Sequence, residues 1–321
     1  MALPILGLHH VTATVDDAQA DLDFCLEGLG LRLVKKTVNF DNHHVYHLYY
    51  GDERGTPGTI WTTFPYGNYG VPVGRKGAGQ ITVTSFSVPA GSLDRWKARL
   101  QAQGATVEDV APRFGEESII ISDPSGLKFE LVATNRDERT PWIAAGPEGP
   151  GNIDVGMAVR GIHSITMVVR SPVRTLEFMT GLLGYTVVNE IEGRIRMAVN
   201  GDLPGRTVDI VHDVNAPAAM NGLGTVHHMA MATATDDDQL RIRQELIRWG
   251  CPVTEVRDRC YFKSIYFHEP GGVLFEVATM TPGFMVDEPL PELGRALKLP
   301  PWEERYRKDI QAGLQAVTYR S

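Results

Sequence analysis

Two histidine pairs lie in similar stretches of the chain, GLHHVTATV at 7–15 and TVHHMAMAT at 225–233. Both stretches alternate as a β-strand does, so neighbouring residues point to opposite faces. One histidine of each pair can look into a cavity while the other stands behind it. A further donor is Glu276 in VLFEVAT, where Phe275 and Val277 form the opposite, apolar face. If that face packs on a helix, Glu276 is turned to the concave side, where a charge is costly unless paired or coordinated. Two neutral imidazoles and one carboxylate make a facial triad that suits Fe(II) and leaves coordination positions open. His10, His228 and Glu276 are therefore the candidate ligands. His9 and His227 are the candidates for holding the ligand rings in place from behind. The histidines of NHHVYH at 42–47 and the turn-flanking His212 and His268 read as surface or local packing.

The elements that must position these groups repeat along the chain, and repeats decide architecture. GLHHVTATVDDAQADLDFCLEGLGLRLV at 7–34 resembles GIHSITMVVRSPVRTLEFMTGLLGYTVV at 161–188, aligning His10 with His163 and, after one inserted residue, Gly30 with Gly184. SDPSGLKFELVAT at 122–134 resembles HEPGGVLFEVATM at 268–280, aligning Glu130 with Glu276 and, upstream, Thr82 with His228. Each unit opens with an alternating strand and continues into a helix, with Asp16 or Asp17 as the first N-cap and Gly28 or Gly30 as its stop. Three further strands follow, broken by turns such as DPSG. The chain thus divides into four βαβββ modules, at 1–66, 77–135, 158–213 and 222–281. A Gly- and Pro-rich linker spans 136–157, and a tail at 282–321 carries one helix in PPWEERYRKDIQAGLQAV. Pairing consecutive modules would give a triad of His163, His228 and Glu276. Pairing the first with the fourth would give His10, His228 and Glu276.

Composition narrows the function classes. The 321 residues are 43% hydrophobic and 22% charged, with a net charge of −8 and a pI near 5.7, which argues against nucleic acid or an anionic membrane as partner. No basic segment followed by an apolar one marks a signal peptide, and no run of about 18 apolar residues marks a membrane span. The three cysteines, Cys25, Cys251 and Cys260, fit a reducing cytoplasm and buried structural roles. A homo-oligomer is compatible with the sequence.

The four modules, the early strand LHHVT and the late strand GGVLFEV resemble the vicinal oxygen chelate superfamily of glyoxalase I, bleomycin-resistance proteins and extradiol dioxygenases. YHLYYGDERGTPGTIWTTFP at 46–65, GRKGAGQ at 74–80 and YFKSIYFHEPGGVLFE at 261–276 are similar to its hydroquinone 1,2-dioxygenase branch. The resemblance implies an α+β fold in which the modules form two barrel domains. It also implies an Fe(II)-dependent ring-cleaving dioxygenase acting on a small aromatic substrate, hydroquinone or catechol, with O2. In that branch the first and fourth modules share the site, which favours His10, and Thr12, Arg259 and Tyr266 join its surroundings. There Arg259 would hold an anionic substrate oxygen and Tyr266 would donate a hydrogen bond or proton. Glyoxalase-type isomerisation needs a second carboxylate, and GTIWTTFP, opposite Glu276 in that pairing, has none. A metal-free sequestering protein of the bleomycin-resistance type is the non-enzyme alternative.

Overall fold

A computed structural model describes residues 3–144, 153–191 and 193–320. The first module runs β1 (Gly7–Val15), α1 (Ala18–Asp23), β2 (Arg32–Asn39), β3 (Asn42–Gly51) and β4 (Ile60–Pro65). The second runs β5 (Gln80–Val88), α2 (Leu93–Ala102), β6 (Val107–Asp109), β7 (Glu117–Ser122) and β8 (Lys128–Ala133). The third runs β9 (Gly161–Val169), α3 (Val173–Gly181), β10 (Thr186–Ile191), β11 (Arg194–Ala198) and β12 (Thr207–His212). The fourth runs β13 (Thr225–Thr233), α4 (Asp236–Arg248), β14 (Arg257–Asp258), β15 (Lys263–His268) and β16 (Leu274–Thr279). All four are βαβββ. Among the described residues no helix is long and apolar enough to cross a membrane.

Local chemistry sets the helices. Asp17 caps α1, accepting from the Ala20 amide at 2.9 Å, and Ala18 and Leu22 turn the helix onto the core. The helix then widens into a π-turn at Phe24–Gly28. Gly30 follows with φ +69°, and a Cβ there would meet Ile153 at 2.5 Å. Thr235 caps α4, and three aspartates fill its first turn, where the helix dipole favours negative charge.

The strands form two curled eight-stranded sheets. The first has the order β14-β15-β16-β13-β1-β4-β3-β2, and the second β10-β11-β12-β9-β5-β8-β7-β6. Strands of the first and fourth modules therefore share one sheet, and strands of the second and third share the other. An antiparallel pair joins the modules in each, β1 with β13 and β5 with β9. The outward faces bury Trp61, Phe86, Phe129 and Met231 in one apolar core. Arg139 ties the sheets together, donating to the carbonyls of Gly58 at 2.7 Å and Ile162 at 2.8 Å.

The ladder registers correct the repeat alignment by one residue. The β1–β13 ladder passes from Leu8 to His10, leaving His9 in a bulge, and the β9–β5 ladder passes from Ile162 to Ser164, leaving His163 in one. His163 is thus the counterpart of His9, and Ser164 of His10. On the partner strands His227 and Thr82 are bulged, so Thr82 answers His227, and Val83 answers His228. Glu130 does answer Glu276, facing Ser85 as Glu276 faces Ala230. The same bulge stands in both repeats, so 7–34 aligns with 161–188 without a gap and pairs His9 with His163; matching His10 to His163 required an inserted residue that the strands do not contain.

Other expectations change as well. The tail helix is only α5 (Arg307–Gly313), preceded by a 3₁₀ turn at Glu304–Tyr306, in a segment where Glu303, Glu304 and four further charged residues leave little apolar face to pack. Cys25 is buried, whereas Cys251 and Cys260 are half-exposed. Of the linker, residues 145–152 lie outside the described residues.

Candidate metal centre

His10 on β1, His228 on β13 and Glu276 on β16 sit on adjacent strands, with Ala230 of β13 facing both His10 and Glu276 across the ladders. Their donor atoms converge. Glu276 Oε2 lies 2.9 Å from His228 Nε2 and 3.3 Å from His10 Nε2, and the two nitrogens are 3.3 Å apart. All three residues are buried, Glu276 completely. Glu276 Oε1 accepts from the Ser264 hydroxyl, while Oε2 is buried without a hydrogen bond of good geometry. Among the described residues this is the cluster of histidine and carboxylate donors close enough to hold one metal ion.

The paired histidines orient the ligand rings. His9 Nδ1 is 2.9 Å from His10 Nδ1, and His227 Nδ1 is 2.8 Å from His228 Nδ1. Burial first, and then the neighbouring His10, push His9 down to about 3; burial and His228 do the same to His227, also to about 3. Both outer rings are therefore neutral, and each accepts at Nδ1 when its own proton sits on Nε2. Each inner ring then carries its proton on Nδ1 and turns the Nε2 lone pair toward Glu276. His9 does not face away from its neighbour, as simple alternation requires, because its bulge lets both side chains stay inside. Burial opposes ionisation of Glu276, but His10 and His228 outweigh it and hold the carboxyl well below its ordinary range. Two lone pairs and a buried carboxylate oxygen without a hydrogen bond fit a divalent cation.

The donors open onto a cavity of about 270 Å³. Its walls include Phe64, Phe262, Tyr49, Tyr266 and Arg259, enough for one aromatic ring. Arg259 Nε donates to Tyr266 Oη at 3.1 Å, and its guanidinium lies 5.4 Å from the Tyr266 ring. Tyr266 faces Glu276 directly in the β15–β16 ladder and stands edge-on to His228 at 5.7 Å. Burial, and next the Glu276 charge, push its phenol well up, so it stays protonated. Thr12 is wholly buried beside His228 and accepts from the Thr62 hydroxyl at 3.0 Å, one layer behind the cavity wall.

One lining residue contradicts the sequence reading. His47 is not surface: it lines the cavity, packed at a tilt against Tyr49 at 3.9 Å and Phe64 at 4.3 Å. Its Nε2 is 2.8 Å from Thr62 Oγ1 and its Nδ1 2.9 Å from Tyr49 Oη. Burial pushes its pKa well down. The alternation Val45, His47, Tyr49 along β3 carried the signal, which the nearby exposed His44 obscured.

Comparisons with known proteins place the chain in a family. The pattern of the Glyoxalase/Bleomycin resistance protein/Dioxygenase superfamily matches residues 7–131 and 161–277. The chain belongs to that superfamily. It is 40% identical to "Putative ring-cleaving dioxygenase MhqE" of Bacillus subtilis over 95% of this chain and 96% of that one. It is 35% identical to the chlorohydroquinone/hydroquinone 1,2-dioxygenase of Sphingobium indicum, covering 97% of each. A Bacillus subtilis crystal structure described as a "putative dioxygenase" superposes with a TM-score of 0.92 at 38% identity, covering all of both chains. This superfamily member is an enzyme of the ring-cleaving dioxygenase group. The isomerase alternative meets a specific obstacle. The β1–β4 and β13–β16 registers make Thr62 the counterpart of Glu276, so a second carboxylate is missing where one is needed.

Proposed function

We propose that the enzyme is an Fe(II)-dependent dioxygenase that opens the ring of a substituted hydroquinone or catechol, with His10, His228 and Glu276 as the metal ligands. The observation that carries this reading is Glu276 Oε2, buried without a hydrogen bond and faced by two imidazole Nε2 atoms. When bound there, Fe(II) supplies a Lewis acid for the ring's hydroxyl and a route for electrons from ring to O2. The chain's residues do the rest. Phe64, Phe262 and His47 sandwich and orient the ring within the cavity. Arg259 holds a negatively charged ring oxygen. Tyr266, kept protonated by burial, donates a proton or hydrogen bond to it. His9 and His227 keep the ligand rings fixed while charge moves.

The name of the Sphingobium indicum relative supports hydroquinones as the substrate class. Metal analysis of anaerobically purified protein tests the reading together with O2 uptake on hydroquinone and catechol. About one iron per chain and O2 consumption with ring opening are expected. Full activity after exhaustive chelation would refute it.

A further inference from the structure

The tip of the β2–β3 hairpin, contributed by the first module, reaches across the cavity mouth to the fourth module. Asp41 sits at that tip. Its Oδ2 accepts from Arg259 Nη2 at 3.0 Å, and its Oδ1 lies 3.6 Å from Arg257 Nη1. The cavity lining contains three fixed charges: Glu276, Arg259 and Asp41. Glu276 is turned to the two histidines, so Arg259 is the positive charge left to face a substrate. Its side chain is only 15% exposed, whereas Asp41 is 61% exposed. The pair therefore places a desolvated cation against the cavity and its neutralising partner at the rim.

We propose that Asp41 is a specificity-determining residue: by neutralising Arg259 it tunes the cavity to uncharged dihydroxybenzenes and against rings bearing a carboxylate. This rests on the ring-cleaving reading and adds to it a charge rule. A carboxylated ring would have to meet Asp41 and compete with it for Arg259, since Arg257, the other guanidinium beside Asp41, does not line the cavity. An uncharged ring needs Arg259 only for the hydroxyl oxygen beside Tyr266. Discrimination of this kind is a repulsive element set at the rim rather than an added attraction. Asp41 is free to serve it, because other contacts anchor the tip: Asn39 donates to Tyr66 Oη at 3.0 Å, and Phe40 packs edge-on against Trp302 at 5.8 Å.

The test is anaerobic equilibrium binding of two probes, 2-methylhydroquinone and 2,5-dihydroxybenzoate, to the purified full chain. Wild type is compared with Asp41→Asn, which keeps the shape and an acceptor oxygen. Asp202→Asn, which removes a similarly exposed carboxylate whose partner Arg136, like Asp202 itself, does not line the cavity, controls for net charge. In Asp41→Asn the affinity ratio of carboxylated to neutral probe rises about tenfold, and the rise shrinks in high salt. The ratio in Asp202→Asn stays at the wild-type value. An unchanged ratio in Asp41→Asn, or an equal rise in Asp202→Asn, overturns the proposal. Because binding is read without O2, wild type that binds the neutral probe but does not consume O2 refutes the ring-cleaving reading and leaves the charge rule standing. Wild type that binds neither probe overturns both.

Discussion

Where the first sheet carries His10, His228 and Glu276, the second carries Ser164, Val83 and Glu130 at corresponding ladder positions. The carboxylate is retained, but its surroundings are inverted. Glu130 is paired with Arg113, and its oxygens accept from Ser85 at 2.7 Å and Ser118 at 2.6 Å. The counterpart of Thr62 in the second sheet is Asp209, which Arg196 grips at 2.7 Å and Arg194 at 3.2 Å. Glu116 completes the network, lying 3.0 Å from His163 and 2.6 Å from Arg196. Both concave faces bury carboxylates, and a buried carboxylate needs a positive partner. The second sheet supplies guanidinium groups, Arg194 and Arg196 from β11 and Arg113 from the loop between β6 and β7. In the first, Arg259 reaches Tyr266 and Asp41, and Glu276 Oε2 is left to the imidazole nitrogens. On the reading proposed above, the difference separates a structural ion network from a site that takes a cation from outside.

The strongest way to break this comparison is to remove corresponding residues. His10→Ala, His228→Ala and Glu276→Ala should each lose bound iron and more than about 10⁴-fold in turnover, beyond what one general acid contributes. Glu130→Ala and His163→Ala should retain both. Glu130→Ala should instead lower stability by about 3 kcal/mol, since it strands Arg113 half-buried beside two hydroxyls. Iron content and denaturant titration on the same preparations check this. If His163→Ala strips the iron and His10→Ala does not, the assignment of the two sheets is reversed.

The next test stays within the first sheet. Tyr266→Phe should keep its iron and lose about 10²–10⁴ in turnover, because the phenol is held protonated beside the cavity. Arg259→Ala should raise KM more than it lowers kcat. Kinetics normalised to bound iron decide the matter, and unchanged normalised values in both variants would reduce the pair to packing.

The ion network of the second sheet should show itself through pH. Burial opposes ionisation of Glu116, but His163 and Arg196 outweigh it and bring the carboxyl from 4.5 to about 2. Between those values the unfolded chain binds the extra proton and the folded chain does not. The contribution is therefore complete above pH 4.5 and is lost as pH falls toward 2, on the order of 3 kcal/mol. Glu116→Gln should be less stable than wild type at pH 6, and the gap should close near pH 2. A gap that is constant with pH would mean the carboxylate is not coupled to folding.

Much of this was legible in the residues, and the misreadings are specific. Alternation in VLFEVAT turned Glu276 inward, and the doubled histidines marked two first strands. The absence of a carboxylate in GTIWTTFP anticipated Thr62 opposite Glu276. What failed was register. Alignment by residue type inserted one residue and paired His10 with His163, although His9 and His163 occupy the same bulge of the two sheets, as His227 and Thr82 occupy another. Strand alternation is a local property, while bulges are set by the partner strand and cannot be counted from one strand alone. Asp41 escaped notice for a related reason. Its partner Arg259 is more than two hundred residues away, and only the joining of the outer modules in one sheet brings them together.

The smallest effect tests the correspondence at its sharpest point, because Ser164 occupies the position of His10. Its hydroxyl lies 3.1 Å from His163 Nδ1, as His10 Nδ1 lies 2.9 Å from His9 Nδ1. The two pairs are the same construction with the metal-facing ring removed from one of them. Ser164→Ala leaves His163 Nδ1 without that partner while Glu116 still holds Nε2. The cost should be about 1 kcal/mol of stability, the usual worth of one buried neutral hydrogen bond. Iron content and turnover should match wild type, since nothing bound at the first sheet touches Ser164. Thermal denaturation measured beside iron analysis reads both quantities. A loss of iron in Ser164→Ala would mean that the second sheet supports the metal site through the shared core, and the separation of roles between the sheets would fail.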